Sequence, residues 1–219
     1  MKHLPCLIAS ALLTCAGVGI AQAGAHCETF IGTLTLEPNP LNPGDPLQFC
    51  DDFQQIKRVE RMFEDAVFVF ELDPRPPVSL AYCFKGTISN ASLIGPNGKP
   101  RPVEATSFSA LTVNAFDPNG TVPSSHLAQL FTAASVVTIS SAAEPGKKAK
   151  ELGSIFLRDM GVNFLTPVPT PGGPVLVPYS SSEQLIGVGG TREFARASVS
   201  LQIEGNEFAG ANVFGTVCR

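Results

Sequence analysis

The sequence predicts a mainly β protein: an antiparallel barrel of about eight strands with one short helix near residues 52–64, a β-sandwich being the alternative. Three observations point there. Gly and Pro together number 39 of 219 residues, only 16% are charged, and mean hydropathy is +0.18. That is the composition of many turns between apolar segments rather than of disorder. Turn signals recur at Gly95-Pro-Asn-Gly98, Asp117-Pro-Asn-Gly120, Glu144-Pro-Gly146 and Gly205-Asn206, each between strand-like runs. From Ser198 to Glu204, finally, Val199, Leu201 and Ile203 alternate with polar residues, the period of a half-buried strand.

The N-terminal segment reads as an export signal. Lys2 gives a positive start, no charge follows from Leu4 to Ala21, and Leu7, Ile8, Leu12, Leu13, Val18 and Ile20 form an apolar centre. Ala21-Gln22-Ala23 then meets the small-x-small rule for cleavage between Ala23 and Gly24. Pro5 and that cleavage site favour removal over an uncleaved anchor. The expected organisation is therefore a signal peptide over 1–23 and a single barrel-like domain over 24–219, secreted or periplasmic. No other segment is long and apolar enough for a membrane-spanning helix. Removal leaves 14 basic against 19 acidic residues, with no cationic excess for nucleic acid.

Along the remaining chain, residues 30–36 set Leu34 and Leu36 against Thr33 and Thr35, and a proline-rich loop follows from Glu37 to Pro46. Residues 51–65 carry Phe53, Ile56, Val59 and Met62/Phe63 at helical spacing, with Asp51 and Asp52 offering an N-cap. Val67–Leu72 reads as a short buried strand ended by Pro74–Pro77, a poor domain boundary. Further strand-like runs fall at 79–94, 107–116, 131–141, 152–165, 184–189, 193–204 and 208–217. Thr166–Pro178 holds five prolines; it reads as a stiff surface connection in preference to a lid over a barrel mouth.

Four cysteines survive cleavage: Cys27, Cys50, Cys83 and Cys218. An even number in an oxidising compartment implies two disulfides, and none of the spacings suits structural zinc, so no metal site is expected. If the first and last strands pair antiparallel, Cys27 meets Cys218 and leaves Cys50 for Cys83. Cys27–Cys50 is the local alternative.

No catalytic motif emerges and no cofactor is expected, so the sequence leaves open whether the chain is an enzyme. His26 and His126 are the only histidines left after cleavage, and neither accompanies a nucleophile elbow, zinc-protease, P-loop or dinucleotide motif. Arg158-Asp159 interrupts an apolar run. On a strand the two point to opposite faces, and an inward charge needs a partner or a ligand; a barrel-end position where both reach water is the preferred reading. Lys57, Arg58 and Arg61, interleaved with Glu60 and Glu64, form a solvated helix face. Fifteen phenylalanines with no tryptophan either fill the core, the commoner outcome, or line a ligand cavity.

The stretch from Glu183 to Ile203 resembles the signature of the allene oxide cyclase/dirigent-like barrels, in which a strand runs into Gly-Gly-[Ser/Thr]-Gly-x-Phe-x-x-Ala-x-Gly. Gly189, Gly190, Thr191, Phe194 and Ala197 match in register, while Arg192 replaces the third glycine. The matched stretch is about a tenth of the chain. The resemblance implies an eight-stranded antiparallel barrel, often trimeric, whose apolar interior binds or guides a hydrophobic molecule, with cyclase-like activity open on that ground alone. It assigns no catalytic or ligand-binding residue here. The expected function is thus an exported barrel that binds or shapes a small hydrophobic molecule, the alternative being a non-enzymatic secreted structural or adhesive protein.

Overall fold

The computed structural model describes residues 26–37, 49–63, 81–116, 127–143, 146, 148–169, 171–173 and 175–219. The export segment with its Ala23–Gly24 bond, the strand expected at Val67–Leu72, Pro74–Pro77 and His126 lie outside the described residues. Among the described residues, eight strands form one closed antiparallel barrel in sequential order: β1 (Cys27–Leu36), β2 (Ala81–Ile94), β3 (Pro100–Phe116), β4 (Leu127–Ser141), β5 (Glu151–Val168), β6 (Val175–Gly190), β7 (Ser198–Gly205) and β8 (Ala211–Cys218). The expected barrel is therefore the fold, and the sandwich is excluded.

Closure comes from β1 pairing with β8 along its length, which sets Cys27 directly opposite Cys218; the two are disulfide-bonded. Around this seam lies an ion-pair cluster. The buried Glu28 carboxylate accepts from Arg219, which also reaches Glu193 at 2.7 Å, and Arg101 approaches Glu193 at 3.3 Å and Glu28 at 3.7 Å. The Arg219 guanidinium lies over the Phe194 ring. This end of the barrel is shut.

Strand alternation sorts the apolar side chains into two cores. Leu34, Ile88, Val137, Ile139, Ile155, Leu157, Leu201 and Val213 point into the barrel. Val136 and Phe156, one residue out of phase, point outward with Cys83 and Ala110 and are covered by two short helices carrying Phe53, Val59 and Phe63. Those helices, α1 (Cys50–Gln55) and α2 (Val59–Met62), replace the single helix expected over 51–65. The chain turns between them because Ile56 is extended and Arg58 takes φ 79, a conformation no continuous α-helix contains. The N-cap is Phe49, without a side-chain cap bond, so neither Asp51 nor Asp52 caps. Lys57, Arg58 and Arg61 are exposed, in keeping with a solvated face.

The proline-rich stretch differs from expectation. Thr166, Pro167 and Val168 pair with Val177, Leu176 and Val175, so most of it continues β5 and β6 as a hairpin. Among the described residues the β6–β7 ladder begins at Ser181, beyond this end of the hairpin.

The bend between β6 and β7 is a 3₁₀ turn, Arg192–Phe194, held by Phe194 N–H donating to the Thr191 carbonyl. A Cβ on Gly190 would lie 2.2 Å from the Phe194 carbonyl oxygen, so only glycine fits. Gly190→Ala is expected to cost about 2–3 kcal/mol, read as a lowered urea midpoint at unchanged slope; a change within about 0.5 kcal/mol would contradict the close approach.

Candidate functional site

Opposite the shut end, the interior opens into a cavity of about 60 Å³, room for about four or five water molecules. Its apolar wall includes Phe84, Leu111, Phe131, Leu185 and Leu201. Phe84 meets Phe208 edge to face with ring centroids 6.1 Å apart. Of the fifteen phenylalanines, then, some line this space while Phe30 and Phe194 fill the barrel core and Phe53, Phe63 and Phe156 the outer one.

Three carboxyl groups line the same cavity: Asp159, Glu183 and Glu207. Asp159 follows from β5 alternation, since Leu157 and Asp159 share the inward parity while Arg158 turns outward over the Phe63 ring, 5.3 Å from its centroid. The expectation that both Arg158 and Asp159 reach water at a barrel end is corrected: Asp159 is only 4% exposed. Its Oδ2 accepts from the Ser135 hydroxyl on β4, which lies 2.7 Å from the Ser109 hydroxyl on β3. Its Oδ1 is buried without a hydrogen-bond partner. Burial pushes the Asp159 carboxyl up from 3.8 to about 7, the Ser135 hydrogen bond pulls it down, Glu207 adds a further push and Arg158 a pull.

Glu183 on β6 shares the inward parity of Ser181 and Leu185 and is buried like them. Burial holds its carboxyl well above the usual range, reinforced by the charge of Glu207, the hydrogen bond to Glu207 and the charge of Asp159. Two carboxyl groups can hydrogen-bond to each other only if one keeps its proton, and Glu183 is the one so held. Glu207, in the β7–β8 turn, also bonds the Ser181 hydroxyl, which lies 3.0 Å from the Gly205 carbonyl oxygen. Among the described residues the lining contains no Lys, Arg or His, and no three His, Cys, Asp or Glu side chains are placed to hold a metal ion.

A carboxyl titrating near neutrality beside an apolar cavity can orient a hydrogen-bonding ligand and can give or take a proton at pH 7. Among the described residues, the sequence candidates that come to this site are Asp159 and part of the phenylalanine set. Cys27 and Cys218 lie at the far end. Cys83 is disulfide-bonded on the outer wall; the Cys50 side chain lies outside the described residues, so the pairing Cys50–Cys83 stays an expectation. Glu183 and Ser135 were missed, although both carry a signal: each is polar at a position where its strand's alternation demands an inward residue. No protein-family model matches this chain, and no curated protein or solved structure matches it either.

Proposed function

We propose that the chain is an exported barrel protein, released by cleavage after Ala23, that binds or shapes a small hydrophobic molecule in the cavity of its barrel interior. The observation that carries this reading is the cavity itself, with phenylalanine and leucine on its wall and a buried carboxyl oxygen that no protein group satisfies. A barrel serving only as a scaffold gains nothing from such a group, because burying an unpaired carboxyl oxygen costs stability. Ligand sites commonly join a largely apolar wall to a few convergent polar groups.

The likeness to the allene oxide cyclase/dirigent-like signature supports the reading in one further respect. Arg192, which stands where that signature has its third glycine, takes φ 49, a left-handed conformation that glycine adopts without strain. A glycine there would carry no strain. If copies assemble as the resemblance implies, the outward Met160 and Ile186, 67% and 47% exposed, offer the apolar contact.

Titrating ¹⁵N-labelled protein with n-butanol and with phenol tests the reading. Saturable amide shifts are expected at Leu111, Ser135, Asp159 and Glu183 at millimolar ligand, with the shut end around Glu28 and Arg219 unmoved. Linear, unsaturated shifts up to tens of millimolar would contradict a ligand site.

A further inference from the structure

We propose that the ligand's polar head is a cation, a protonated amine on a short apolar chain or ring, paired with the Asp159 carboxylate; this rests on the cavity being a ligand site. The charge balance of the cavity points there. Among the described residues every ionisable side chain on its lining is acidic, and Arg158, next to Asp159 on β5, faces outward over Phe63. An anionic head would meet three carboxyl groups and no cation. A neutral hydroxyl could bond the Asp159 carboxyl but would gain no charge pairing from its ionised form.

An ammonium supplies several N–H donors, and the acceptors for them are present: Oδ1 of Asp159, unpartnered and buried, with Glu207 and the Asn163 and Asn206 side chains on the same lining. Chain length is bounded by the cavity, whose 60 Å³ holds the bulk of roughly a four-carbon chain. The apolar part would lie along Phe84, Leu111 and Phe131.

Binding then displaces a proton. The amine arrives as R–NH₃⁺, Asp159 loses its proton to solvent, and the ammonium–carboxylate pair replaces a neutral acid; no covalent bond forms or breaks. The groups that govern this are Glu183 on β6, Glu207 in the β7–β8 turn and Ser135 on β4, with Arg158 behind on β5. Strands β1, β2, β3, β7 and β8 bring no ionisable side chain to the lining.

The test compares n-butylamine, n-butanol and butyrate by NMR titration of the full domain and of Asp159→Asn. Butylamine is expected to bind about tenfold tighter than butanol at pH 8, with butyrate weakest. Its affinity should fall about thirtyfold between pH 8 and pH 5.5, as a carboxyl with midpoint near 7 regains its proton. In Asp159→Asn, an isosteric change, the preference for amine should vanish while butanol still binds, which also shows the variant is folded. Butanol binding as tightly as butylamine to the native protein, or butylamine binding undiminished to Asp159→Asn, would overturn the cationic head while leaving the ligand cavity intact. If none of the three binds, the cavity reading fails and this inference with it.

Discussion

Replacing both Cys27 and Cys218 by alanine is expected to destabilise the domain by about 5 kcal/mol. The bond closes a loop with a sequence separation of 191 residues, and the conformational entropy it removes from the unfolded chain grows with the logarithm of that length. It also locks the β1–β8 seam, the one contact that converts an open eight-stranded sheet into a barrel. The ladder, the Glu28–Arg219 pair and its neighbours survive the change, so the variant should still fold, with a lower urea midpoint. A loss below about 1 kcal/mol would show that the ladder and ion pairs alone determine closure.

The second large effect concerns pH. In the unfolded chain Asp159 titrates near 3.8, and in the barrel near 7. Below pH 4 both states hold the proton and the group is neutral to stability. Between pH 4 and 7 the folded state keeps a proton the unfolded state has lost, so stability falls as pH rises. Above 7 the buried charge is present and its whole cost, on the order of 4 kcal/mol, is felt. Glu183 acts in the same direction. Asp159→Asn should therefore flatten the stability profile between pH 5 and 8 and be more stable than the native protein at pH 8. Denaturant midpoints at pH 5, 6.5 and 8 give the answer; a native profile that rises over that range would contradict the buried carboxyl.

How far the sequence reaches depends on whether a feature is local. Val199, Leu201 and Ile203 announce their strand because alternation is written in consecutive residues, and the terminal cysteines announce closure because antiparallel end strands bring them level. The single helix over 51–65 was legible as a hydrophobic period but not as two pieces, since nothing in Ile56-Lys57-Arg58 forbids continuation. Thr166–Pro178 misleads for the opposite reason: prolines argue against a central strand, yet Thr166, Pro167 and Val168 pair with Val177, Leu176 and Val175 at the end of a hairpin. Asp159 was visible as an interruption, yet its direction depends on β5 phase. Its partners Ser135, Glu183 and Glu207 come from three other parts of the chain, and only barrel register gathers them. That is why the acid–serine site escapes a linear reading although Ser135, Asp159 and Glu183 are each polar residues on an apolar face.

Asp159 points inward beside the cavity, and its carboxyl carbon can be watched directly. With ¹³C-labelled aspartate, the Asp159 resonance followed from pH 3 to 9 should titrate with a midpoint close to 7. In Ser135→Ala, which removes the hydrogen bond favouring the charged form, the midpoint should move higher. A midpoint near 4, unmoved by that substitution, would place the carboxyl in water and contradict the site.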